Sequence, residues 1–158
     1  AWLRTGDLGR LDARGRLHVT GRLKELIALS TGRKVAPLPI EAALAGDDWI
    51  AQALVVGEGR RFAGALLVPR MTTVRAWAAA ERVPGDDDAL AAHPAVRERL
   101  AAAVARVNAP LAPHERVQRF AVVAREFSVA DGTLTPTLKP RRAEVERRHA
   151  ALLETLWD

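Results

Sequence analysis

Near its C-terminal end the chain reads Asp131-Gly132-Thr133-Leu134-Thr135-Pro136-Thr137-Leu138-Lys139-Pro140-Arg141-Arg142, a single lysine held between two prolines. Pro136 fixes its own φ, and Pro140 disfavours the α region for Lys139, so the lysine is expected extended, ahead of a helix starting at Arg141. An ammonium on such a loop can reach into a site and offset anionic charge. The residues alone leave open the alternative of a solvated surface lysine. A second candidate is Asp7, between Gly6 and Gly9, whose carboxylate can accept two hydrogen bonds at once, as the vicinal hydroxyls of a ribose require. Here the alternative is a turn aspartate that caps its own backbone. His18, His93, His114 and His149 lie on different segments without metal-ligand spacing and read as structural.

The elements that must hold these residues are mixed. Leu8 to Leu11 and Leu17 to Val19 alternate around Asp12-Ala13-Arg14-Gly15, a hairpin with glycine at the strained turn position. Glu25 to Leu29 is expected as a short strand, and Ile40 to Ala45 as a helix ending at Gly46. A second hairpin, Ile50 to Val56 and Phe62 to Val68 around Gly57-Glu58-Gly59, is nearly all apolar and predicts the centre of the core. A helix over Thr72 to Val83 with threonine caps is followed by a solvated Asp86-Asp87-Asp88 loop. Between His93 and Asn108, Val96, Leu100, Val104 and Val107 recur at helical spacing. Arg119 to Ala124 reads as a strand, and Arg141 to Trp157 as one terminal helix with Val145, Leu152, Leu153 and Leu156 inward. The start, Trp2-Leu3-Arg4, is strand-like, and Trp2, Trp49, Trp77 and Trp157 are expected in core or edge packing.

Composition sets outer bounds. The 158 residues, about half of them apolar, suffice for one core-bearing domain. The net charge of +5 is spread over scattered arginine pairs among many acids, with few aromatics, the pattern of solvated faces and not of a nucleic-acid stripe. There is no cysteine, signal peptide or membrane-length apolar run, which fits a cytoplasmic protein.

Several separated segments agree with one another: Thr5-Gly6-Asp7-Leu8-Gly9, Gly21-Arg22-Leu23-Lys24-Glu25-Leu26-Ile27, Ser30-Thr31-Gly32-Arg33-Lys34, Val35-Ala36-Pro37-Leu38-Pro39-Ile40-Glu41, Ala105 to Pro113 and the Lys139 loop. In this order they resemble the last part of the acyl-adenylate-forming, AMP-binding enzymes: acyl-CoA synthetases, peptide-synthetase adenylation domains and luciferases. Within that superfamily the resemblance is nearest to long-chain fatty-acid–CoA ligases. It implies an α+β fold: a β-hairpin remnant of a large N-terminal domain over residues 1–23, then a mobile C-terminal lid over 24–158, in which antiparallel hairpins pack with helices. The chain begins at Ala1 and is too short for a whole enzyme of this kind, so a fragment inactive by itself is expected.

The resemblance also implies roles. Asp7 would bind the ATP ribose with help from Arg22. Lys24, which alone reads as a strand-edge lysine, would be the hinge. The Gly32 loop would line the pantetheine tunnel of CoA, backbone first, where a Cβ would obstruct. Lys139 would serve adenylation and leave when the lid turns. Thr31 and Arg33 stand where many long-chain ligases carry glycine and lysine, and Pro140 where an aliphatic residue is usual. The whole enzyme would take fatty acid, ATP and CoA, with Mg2+ held by residues outside this chain, in fatty-acid metabolism in the cytoplasm or peripherally at a membrane. Alternatives are a ligase that passes acyl-AMP to a carrier protein, or a non-enzymatic basic module for nucleic acid or anionic lipid.

Overall fold

The computed structural model describes residues 3–158. The strand-like start and the packing expected at Trp2 lie outside the described residues, and Leu3 and Arg4 form no strand. Strands β1 (Asp7–Leu11) and β2 (Leu17–Arg22) pair antiparallel, with Asp7 opposite Arg22. Their turn takes Gly15 at φ 74° and is fastened by Asp12, whose carboxylate accepts the backbone N–H groups of Arg14 and Arg16 at 2.9 Å each. A 3-10 turn, Leu23–Glu25, leads into β3 (Ile27–Ala28), which pairs with β4 (Lys34–Val35). Of the strand expected over Glu25 to Leu29, Glu25 belongs to that turn and Ile27–Ala28 form β3.

Helix α1 (Pro37–Ala45) starts earlier than expected, because prolines fit the first turn, where no N–H is required. The apolar hairpin is present as β5 (Ile50–Val56) and β6 (Ala63–Pro69). Helix α2 (Met71–Glu81) has no side-chain cap. Thr73 donates its hydroxyl to Asp48 O at 2.9 Å, so the threonines are interior residues. The acidic stretch carries a short helix, α3 (Asp87–Ala91), capped by Asp86, whose carboxylate accepts Ala89 N–H at 2.9 Å. Helix α4 (Pro94–Asn108) is capped by His93 Nδ1, which accepts Ala95 N–H at 3.2 Å.

Strand β7 (Val117–Val122) joins β6 in parallel and completes a three-stranded sheet ordered β5-β6-β7. The expected antiparallel hairpins are present, and this parallel pairing adds to them, with α2 to α4 forming the crossover that a parallel neighbour demands. The single terminal helix is corrected: α5 (Arg142–Arg148) and α6 (Ala150–Glu154) are separated at His149, whose φ −104° and ψ 19° leave the α region. The break keeps Leu153 and Leu156 on the sheet.

Both faces of the sheet are covered. Ala53, Val55, Ala65 and Leu67 pack with α1 to α4, while Leu54, Val56, Leu66 and Val68 pack with Phe127, Leu134, α5 and α6. Two-sided burial explains why β5 and β6 read as near-continuous apolar runs. Trp49 and Trp77 lie half-buried at the first cluster, edge to face at 6.2 Å, and Trp157 lies at the second. No helix among the described residues is long and apolar enough to cross a membrane.

Candidate functional site

Asp7, Arg22 and Lys139 line one cleft of about 730 Å³, together with Val19, Leu38 and Arg142. The cleft lies between the β1–β2 hairpin, the start of α1 and the loop before α5. It brings together residues more than 130 positions apart.

At the hairpin side, Arg22 Nε stands 3.1 Å from Asp7 Oδ1, an ion pair set up by their cross-strand register. The hairpin end is closed by Leu23 N–H donating to Gly6 O at 2.8 Å. Asp12, at the opposite end, is held at a pKa of about 2, first by its hydrogen bond with His18 at 3.0 Å and then by Arg16 N–H.

On the other side of the cleft, the Lys139 loop is a miniature hairpin. Thr135 N–H donates to Lys139 O at 2.8 Å, Leu138 N–H to Thr135 O at 2.8 Å, and Lys139 N–H to Thr135 Oγ1 at 3.1 Å. Leu134 and Pro140 form an antiparallel bridge below it. Buried Thr133 roots the structure: its hydroxyl and N–H both donate to Asp131 Oδ1, at 2.5 and 2.9 Å, and hold that carboxyl at about 2. Gln52 in β5 anchors the entry, accepting Phe127 N–H at 2.7 Å and donating to Phe127 O at 3.0 Å.

The exit is anchored by residues that sequence reasoning missed. Arg142 Nη2 donates to both Glu41 oxygens, at 2.6 and 2.8 Å, and Arg142 Nη1 to Val55 O at 2.9 Å. Val55 N–H donates to Glu41 Oε1 at 2.7 Å. Glu41 is 8% exposed, so a nearly buried carboxylate, hydrogen-bonded through both oxygens to a part-buried arginine, ties the Lys139 loop to α1 and β5. The available signal was Glu41 itself, the only acid in the otherwise apolar run of α1.

Lys24 sits, exposed, in the 3-10 turn between β2 and β3. Gly32 does not line the cleft of Asp7 and Lys139. It closes the β3–β4 turn with φ 79°, its N–H donating to Leu29 O at 2.9 Å, and a Cβ built on it would meet no atom within 4 Å. The left-handed φ is reason enough for glycine there. Among the described residues no group of three His, Asp or Glu side chains is placed to hold a metal.

The small α+β domain presents Lys139 across a cleft from the Asp7–Arg22 ion pair. The chain belongs to the AMP-binding enzyme C-terminal domain family, whose description matches residues 24–158. It is 34% identical over 162 residues to the long-chain-fatty-acid–CoA ligase FadD15 of Mycobacterium tuberculosis, covering 99% of this chain and 26% of that protein. It is 33% identical over 175 residues to the long-chain-fatty-acid–CoA ligase ACSBG1 of Mus musculus, covering 99% of this chain and 24% of that protein. In fold it resembles the A domain of carboxylic acid reductase from Segniliparus rugosus, solved in complex with AMP and a co-purified carboxylic acid. The TM-score is 0.74 at 24% identity, over 97% of this chain and 23% of that one. The chain therefore spans about a quarter of the length of the curated relatives it matches.

Proposed function

We propose that this chain is the C-terminal portion of an ATP-dependent long-chain fatty-acid–CoA ligase, which forms acyl-AMP and transfers the acyl group to CoA. The observation that carries the proposal is the convergence of Asp7, Arg22 and Lys139 on one cleft. The names of the relatives supply the substrate class.

In the adenylation step a carboxylate oxygen of the fatty acid attacks the α-phosphorus of ATP. The new O–P bond forms as the bond to the β-phosphate oxygen breaks, and pyrophosphate leaves with its electron pair. The Lys139 ammonium offsets the repulsion between the two anions and stabilises charge in the transition state. Asp7 accepts hydrogen bonds from the ribose hydroxyls, and Arg22 orients the Asp7 carboxylate. Mg2+ would be held by residues outside the present chain. In the second half-reaction the lid turns about Lys24, carrying Lys139 away and bringing the Gly32 loop to the pantetheine path. Residues 1–23 belong to the adenylating portion and 24–158 to the lid. The enzyme works in the cytoplasm, with a peripheral membrane contact compatible with its substrate.

The test separates the half-reactions in the full-length enzyme. Lys139→Ala should lower acyl-AMP formation about 10²–10³-fold while leaving conversion of supplied acyl-AMP and CoA to thioester within about twofold. Equal loss in both half-reactions would remove Lys139 from the chemistry. Offering a carrier protein beside CoA decides between the two acceptors.

A further inference from the structure

Leu138 departs from the way this chain builds left-handed backbone. Eight described glycines have positive φ, and the non-glycine residues that share it are Arg82 at 57° and Leu138 at 61°. Arg82 ends α2, its N–H donating to Ala78 O and Ala79 O, which is a common use of that conformation. Leu138 is the third loop residue between Thr135 and Lys139, after Pro136 and Thr137, a position where glycine or asparagine ordinarily stands because a Cβ crowds the following carbonyl. The cross-bonding of Thr135 with both Leu138 and Lys139 holds the leucine there.

Within this chain the side chain gains little from that strain. Leu138 is 70% exposed and borders a shallow cavity of about 280 Å³ with Leu38, Phe127 and Leu134. Leu38, 41% exposed, also borders the cleft of Asp7 and Lys139, as does Val19 at 67%. Exposed apolar side chains therefore border both this shallow cavity and the cleft that holds the charged residues. A strained, exposed leucine beside a functional lysine is accounted for when the exposure ends in another conformational state.

Resting on the adenylation reading of Lys139, we infer that Leu138 is a positioning residue: an apolar anchor that buries against the adenylating portion of the enzyme when Lys139 enters the site. That portion is the occupant because this chain spans about a quarter of its relatives' length, and Lys139's cleft already brings the lid against the hairpin. Since Leu138 and Lys139 share the hydrogen bonds of one tight turn, seating the leucine sets the backbone that carries the lysine. The anchor acts by raising the population of the docked state.

The experiment uses the full-length enzyme with Leu138→Gly, Leu138→Asn and Leu138→Met, timing both half-reactions and following thermal melting. Glycine and asparagine both tolerate the left-handed backbone, one flexible and one not. Both should melt within about 2 °C of the unmodified enzyme. Each should lose acyl-AMP formation about tenfold and convert supplied acyl-AMP to thioester at the unmodified rate, whereas Leu138→Met retains both activities. Adenylation at the unmodified rate in the glycine or asparagine variant overturns the anchor, and so does a loss shared equally by the two half-reactions. Lys139→Ala, run alongside, separates the failures. If it impairs adenylation and Leu138→Gly does not, only the anchor falls; if it too is silent, the adenylation reading falls.

Discussion

The β1–β2 hairpin and the β5–β6–β7 sheet meet the same physical demand, paired strands with apolar side chains to cover, and answer it differently. In the sheet every strand is flanked by helices or by the Phe127 and Leu134 segment, and Leu54, Leu66 and Leu67 are fully buried. In the hairpin Leu11, Leu17 and Val19 stand 67 to 68% exposed, and order comes from polar ties: Asp12 across the turn and Asp7 with Arg22 at the open end. The sheet is enclosed by its own core, while the hairpin presents the Asp7–Arg22 ion pair on an exposed surface. The cleft of Asp7, Arg22 and Lys139 thus sits at the border between a well-buried sheet and an exposed hairpin.

The largest test of that contrast is truncation of matched leucines. Leu66→Ala opens a cavity between β6 and α5–α6 and should destabilise the chain by about 3–4 kcal/mol, lowering the melting temperature by roughly 10 °C. Leu17→Ala in the hairpin should stay within about 0.5 kcal/mol. Comparable losses in urea unfolding would mean the hairpin is packed after all.

Next in size is the tie between the sheet and the Lys139 loop. Glu41→Ala strands the Arg142 guanidinium and the Val55 N–H, and should cost about 3 kcal/mol. Glu41→Gln, which retains an acceptor for Val55, should cost less. Urea unfolding of both variants checks the order.

The smallest effect is acidic fraying of the hairpin. The Asp12 carboxyl is held at about 2 in the folded chain against 3.8 for a free carboxyl, so its contribution is complete above about pH 5 and is lost progressively as pH falls through 2. Amide exchange in residues 7–22 should quicken over that window, and Asp12→Asn should remove most of this pH dependence. Asp131 and Glu144 also titrate at about 2, Asp131 through Thr133 and Glu144 through Arg147 and Arg148, so the lid softens in the same window. Its core nevertheless persists on apolar burial. Hairpin and lid amides exchanging in step would erase the distinction.

Local pattern made much of this molecule legible. The β5–β6 hairpin was readable because two-sided burial leaves a nearly continuous apolar run, α4 because burial of one face imposes a period of about 3.6, and the Gly15 turn because few residues accept its φ. The Lys139 loop stood out through its prolines. Less legible were features joining distant residues or depending on one backbone angle. The parallel pairing of β7 needs a crossover of three helices, and the interruption at His149 follows from how α6 meets the sheet. Leu138 gives no outward sign of a left-handed φ, because glycine and asparagine are the residues that signal it.

The amino-acid sequence by itself determined which segments become strands and helices, which turns close on glycine or proline, and which charged side chains were candidates for chemistry. Those properties depend on torsional preference and on the spacing of apolar residues within a dozen positions. Only the tertiary structure decided that Asp7, Arg22 and Lys139 share a cleft, that Glu41 meets Arg142 across 101 positions, and that Leu138 is strained yet exposed. The first two arise from the docking of distant elements, a cooperative property that no short stretch of sequence carries, while the Leu138 strain is set by the Thr135 hydrogen bonds that close its turn.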